Sequence, residues 1–160
     1  MDHSQISDEE LVSLVSPNSE VHKELKRRNI LKTKNLVGEI GEYFTFKFFN
    51  NNSGLTNLVE STSNIKNIDF IGMNGKRYSV KTVSSRKGTP APFYKIEDTT
   101  PTFDYLIFVI LDNSYQLDLI LQLTWEDFIK YKNFNSRMNN HVIGVTKKMM
   151  SNVEVLYGAP

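Results

Sequence analysis

The chain has no cysteine, which excludes a disulfide scaffold and thiol-rich metal sites. Histidine is scarce: His3, His22 and His141 are scattered without ligand spacing, so no zinc site is expected. No apolar run approaches the roughly 20 residues needed to cross a bilayer. The opening residues, MDHSQISDEE, are acidic and polar, unlike a signal peptide. A soluble, cytoplasmic chain with no membrane partner is expected. Low-complexity segments and internal repeats are absent as well. The net charge of +1 does not by itself point to nucleic acid.

What is present is 160 residues, enough for one domain with a core. Residues 1–34 read as an N-terminal helical segment and 35–160 as the main body. Ser7 with Glu10 predicts a capped helix over 7–15, ended by Pro17-Asn18. A second, charged helix follows over 19–29. Residues 23–34 are basic, with smaller clusters at Lys76-Arg77, Arg86-Lys87 and Lys147-Lys148. Such runs are phosphate footprints or solvated faces.

Residues 35–49, NLVGEIGEYFTFKFF, read as a helix with Leu36, Ile40, Tyr43, Phe44 and Phe48 toward the core. Gly38 and Gly41 each cost about 1 kcal/mol there relative to alanine, a cost that close approach of another backbone offsets. Glu39 reads as a solvated surface residue and Glu42 as half-buried beside the apolar stripe. Leu55–Val59 suggests an edge strand, and Phe103–Leu111 a strand buried on both faces. Tyr115–Leu123 reads as its antiparallel neighbour. Thr124 and Asp127 predict a capped helix over 125–131, with Trp125 in the core. Residues 85–92 and 133–141 read as loops. Residues 143–150 form a short element and 153–157 a last strand. Phe93 and Tyr94 read as loop aromatics that stack on a base or fold back onto the core. The expected architecture is α/β, one mixed sheet with a central hairpin meander flanked by helices.

The centre of that meander is IDFIGMNGKRYSVKTVS, residues 68–84. Asn74-Gly75 between alternating apolar residues marks a hairpin. A two-residue loop would mix apolar and polar faces, which a half-buried sheet resists. A three-residue loop with Gly75 left-handed keeps them apart. Gly72 then pairs with Lys76, Asp69 lies opposite Ser79, and Asp69, Ser79 and Lys81 share a face. The even positions form the apolar face.

Carboxylates converging at a sheet edge suit Mg²⁺, with Mn²⁺ as an alternative, because hard cations take oxygen ligands. A lysine beside them can orient or deprotonate water and offset phosphate charge. Glu42, Asp69 and Lys81 therefore suit phosphodiester hydrolysis. An aspartate and a lysine on adjacent strands also suit a plain surface ion pair.

The stretches GEIGEY (38–43), IDFIG (68–72) and YSVKTVS (78–84) resemble the PD-(D/E)xK nuclease superfamily, which includes restriction endonucleases and Holliday-junction resolvases. The resemblance spans about residues 35–131. It implies a restriction endonuclease-like α-β-β-β-α-β core and a metal-dependent endonuclease acting on double-stranded DNA, as a homodimer where both strands are cut. It implies Glu42 and Asp69 as metal ligands and Lys81 as the catalytic lysine. The chain departs from the pattern at the second acid, where it has Ser79, a poor and uncharged ligand that joins the candidate site. Three readings follow. Glu60 substitutes for the missing acid, or Glu42 and Asp69 hold one metal with water and phosphate, or catalysis is lost. In the last case a nuclease fold remains that binds DNA or a nuclease partner. Arg77, Arg86 and Lys87, flanking the Lys81 strand, are the expected phosphate contacts.

Overall fold

Ser7 starts the first helix, as its spacing to Glu10 predicts. Its Oγ accepts the Glu10 N–H at 3.2 Å, and the Glu10 carboxylate accepts the Ser7 N–H at 2.9 Å. This reciprocal box opens α1 (Asp8–Val15). The computed structural model describes residues 7–16, 19–62 and 65–160, so the Pro17-Asn18 stop signal and His3 lie outside the described residues. Ser19 caps α2 (Glu20–Arg27). Much of the basic run is taken up locally: Lys23 pairs with Glu20, and Arg27 and Arg28 with Glu24.

Helix α3 (Leu36–Asn50) begins at Asn35, whose Oδ1 accepts the Gly38 N–H at 3.2 Å. Its deepest apolar-facing line is Gly41, Thr45 and Phe49, with Ile40, Phe44 and Phe48 packed alongside. The buried stripe is thus turned toward smaller residues than the apolar periodicity predicts, because the helix lies close against the sheet. A β-carbon at Gly41 would sit 1.8 Å from Thr82 Oγ1 and 2.8 Å from Thr82 Cβ. Gly41→Ala is expected to destabilise the protein by about 1–3 kcal/mol through overpacking. The check is a lower urea midpoint at unchanged slope; an unchanged midpoint would refute the close approach.

The hairpin adopts the three-residue register. Strands β2 (Phe70–Gly72) and β3 (Arg77–Val83) pair with Phe70 opposite Tyr78. The Gly72 N–H donates to the Lys76 carbonyl at 2.8 Å, and Gly75 has φ +76°, a left-handed value that glycine adopts without strain. Strand β1 (Leu58–Glu60) joins β2 antiparallel as an edge. Past a crossover, β5 (Tyr105–Leu111) runs parallel to β3. β6 (Leu117–Thr124) and β9 (Glu154–Tyr157) add antiparallel on the far side. The mixed sheet has six strands in the order β1-β2-β3-β5-β6-β9. Leu106–Leu111 is inaccessible along its whole length, as expected of a strand covered on both faces. Helix α4 (Trp125–Tyr131) carries the closed Thr124–Asp127 capping box, and Trp125 is buried.

Three expectations are corrected. A second sheet exists: β4 (Ala91–Phe93), β8 (Asn140–Ile143) and β7 (Asn133–Asn135), in the order β4-β8-β7. Its strands fall in stretches that read as loops, since three- and four-residue strands rich in asparagine and proline are too short to show a period. Second, the apolar packing of β3 is not confined to its even positions. The even positions Tyr78 and Val80 pack in the cluster under α3, while Val83 packs with Ala91, Phe93 and Ile143 of the second sheet. Third, the crossover from β3 to β5 carries β4 and no helix, and α4 follows β6. The α-β-β-β-α-β order is therefore not reproduced element by element. A four-residue helix, α5 (Lys147–Met150), precedes β9. Among the described residues no helix is long and apolar enough to cross a membrane.

Candidate active site

Asp69 stands just before β2. Its N–H donates to the Tyr78 carbonyl at 2.9 Å, and its carboxylate Oδ2 accepts the Val80 N–H at 2.6 Å. The hairpin register therefore fixes both backbone and side chain. Lys81, two residues beyond Ser79 on β3, reaches across to β4, where its Nζ lies 5.0 Å from the Phe93 ring centroid, a cation–π distance. Glu42 comes from α3, which Gly41 holds against β3. The three side chains border one cleft of about 410 Å³, with Asn35 and Pro90 at its rim. Asp69 and Lys81 thus border the same cleft.

The electrostatics follow from this crowding. Burial first, and then the nearby Asp69 carboxylate, push the Glu42 carboxyl up from its ordinary 4.5 to about 7. Burial raises Asp69 as well, against the Val80 N–H and the Lys81 ammonium, which favour its anion. Burial lowers Lys81, against the pull of Asp69 and Glu42. Two carboxylates with raised proton affinity, facing a lysine that holds its proton less tightly, leave room for additional positive charge. Their donor set is all oxygen and anionic, which fits a hard divalent cation.

Ser79 lies in the core beside them. It is fully buried, and although its Oγ finds no partner at strict hydrogen-bond geometry, its hydroxyl lies close enough to the Asp69 carboxylate to favour the anion. Glu60 ends β1 opposite Phe70, and its carboxylate is 2.5 Å from Lys32 Nζ. Among the described residues no three acidic or histidine side chains gather as a metal cluster, so Glu60 does not complete a triad with Glu42 and Asp69. Glu39 is not a solvated surface residue. It is buried, and its carboxylate accepts the backbone N–H groups of Lys32 and Thr33. No local pattern signals this, since the partners come from the loop before the helix.

The expected phosphate contacts are differently placed. Arg86 donates to both oxygens of Asp118, at 2.7 and 3.0 Å, and to the Ala159 carbonyl at 2.7 Å. The Arg77 Nε donates to Asp104 at 3.0 Å. Both guanidinium groups thus tie strands and chain end together. Lys87 is exposed. Of the two aromatics after the 85–92 stretch, Phe93 is buried beneath Lys81 while Tyr94 is 53% exposed, with Lys66 and Lys95 over its ring. No protein-family model and no curated protein sequence matches the chain.

Proposed function

We propose that the protein is a metal-dependent DNA endonuclease of restriction-enzyme type on a restriction endonuclease-like core. The observation that carries this reading is the convergence of Glu42, Asp69 and Lys81 on one cleft from a helix and two adjacent strands. The antiparallel β1-β2-β3 unit, the parallel β5 beside it and the close seat of α3 support it.

Glu42 and Asp69 would hold the Mg²⁺ or Mn²⁺ ion, which supplies Lewis acidity toward a phosphodiester oxygen and acidifies water. The Val80 N–H keeps the Asp69 carboxylate oriented toward the cleft. Lys81, with its proton affinity lowered by burial, would take a proton from the attacking water in its neutral amine form, or offset charge building on the phosphate as the ammonium. The Phe93 ring keeps its ammonium in place. One such site cuts one strand, so cutting both needs a second copy related by a two-fold axis.

The test is supercoiled plasmid with Mg²⁺ or Mn²⁺. The wild-type chain is expected to nick or linearise it, and Asp69→Ala to leave it closed. The burial of Ser79 favours a second reading, a nuclease fold that binds DNA without cutting it. A salt-dependent gel shift with intact plasmid under both metals would establish that reading in place of the first.

A further inference from the structure

Glu42 borders a second cleft, which Lys81 does not line. Its volume is about 310 Å³, and the cations Arg28 and Lys32, the carboxylates Glu39 and Glu60, and Tyr43 and Phe46 line it. The placement of Lys32 is built in. Glu39, buried one helical turn before Glu42, accepts the backbone N–H groups of Lys32 and Thr33. The helix that presents one candidate metal ligand therefore also fixes the loop that presents this lysine.

The Lys32 side chain is held far more loosely than its backbone. Its Nζ pairs with Glu60 at 2.5 Å, but the two side chains are 47% and 60% exposed. An exposed pair of this kind contributes little and exchanges readily for a stronger anion. Glu60 occupies the place that an incoming anion would take. Phe46, 38% exposed, and Tyr43 give the same cleft apolar walls, which suit a sugar and a base more than a bare ion.

We infer that this second cleft takes the nucleotide next to the scissile phosphate, with Lys32 leaving Glu60 to bind that nucleotide's phosphate. The inference rests on the nuclease reading and deepens it. It makes Lys32 a positioning residue and Glu60 a placeholder for phosphate, not a replacement metal ligand.

The test uses the full chain carrying Asp69→Ala, which blocks cutting, and follows a short fluorescent DNA duplex by anisotropy across a salt series. Added Lys32→Gln is expected to weaken binding roughly three- to tenfold and to reduce the salt slope by about one. Lys32→Arg is expected to retain binding. Glu60→Gln is expected to act in the opposite direction, tightening binding by about two- to fivefold, because the lysine no longer has a competing partner. Thermal unfolding of each variant confirms folding. If Lys32→Gln and Glu60→Gln bind alike, whether both unchanged or both weakened, the pair merely ties the loop to β1 and the inference fails while the nuclease reading stands. If the folded parent binds no DNA at any salt concentration, the nucleic-acid reading itself fails and takes this inference with it.

Discussion

Lys81→Ala is expected to reduce strand cleavage by roughly 10²–10⁴-fold, the usual range for a positioned proton-transfer group, while changing DNA affinity far less. The lysine lines the cleft, half-buried against Phe93 and near two carboxylates. On the proposed function, its substitution would remove proton transfer and charge compensation while leaving the outer surface unchanged. Lys81→Arg is not expected to restore cleavage. A guanidinium stays protonated at all working pH values and needs a planar fork of acceptors, whereas the site offers one ring face and a narrow cleft. Single-turnover cleavage with plasmid in excess of its dissociation constant separates the two effects. Comparable loss in binding and cleavage would make Lys81 a DNA contact only.

The pH profile carries the same logic. Glu42, raised to about 7, must be ionised to hold a divalent cation, so cleavage is expected to rise with pH on the acidic side. Metal and proton compete for the same carboxylates. The midpoint of that rise should therefore move to lower pH as Mg²⁺ is increased. A midpoint insensitive to Mg²⁺ would detach Glu42 from the metal.

Glu42→Gln is expected to stabilise the metal-free protein above pH 7, by about 2 kcal/mol. The sign follows from linkage. A carboxyl that holds its proton more tightly folded than unfolded contributes fully below its unfolded value near 4.5. That contribution is lost as pH rises through about 7. At about 1.4 kcal/mol per pKa unit the full shift corresponds to roughly 3 kcal/mol. Partial exposure of the side chain brings it to about 2 kcal/mol. Asp69 is shifted in the same direction. Lys81, lowered by burial, acts with the opposite sign, in the window just below its ordinary 10.5. Urea unfolding at pH 5 and pH 8 in EDTA checks the prediction: the wild type should lose stability between the two, and Glu42→Gln should lose less. Mg²⁺ or Mn²⁺ should raise the wild-type melting temperature at pH 8 but not at pH 5, and Glu42→Gln should abolish that rise. Destabilisation of the metal-free protein by Glu42→Gln at pH 8 would show that the carboxylate is satisfied by the protein itself.

The sequence alone determined the parts of this protein that rest on short-range chemistry. Asn74-Gly75 between alternating faces set the hairpin register and with it the meeting of Asp69 and Lys81. Ser7 and Thr124 marked helix starts because their partners lie three residues away. The unbroken run in β5 announced a strand covered on both sides. Gly41 signalled a close approach, but of another backbone, whereas the Thr82 side chain is what comes near. Only the tertiary structure decided what depends on residues distant in the chain. Ser79 reads as an open site position and is fully buried, its hydroxyl beside the Asp69 carboxylate. Glu39 looked solvated and is buried, because a preceding loop brings it two N–H donors. Arg77 and Arg86 looked free to meet phosphate and are engaged by Asp104 and Asp118, 27 and 32 residues away. Residue type and spacing report what a side chain can do, but burial and long-range partners determine which of those capacities it keeps.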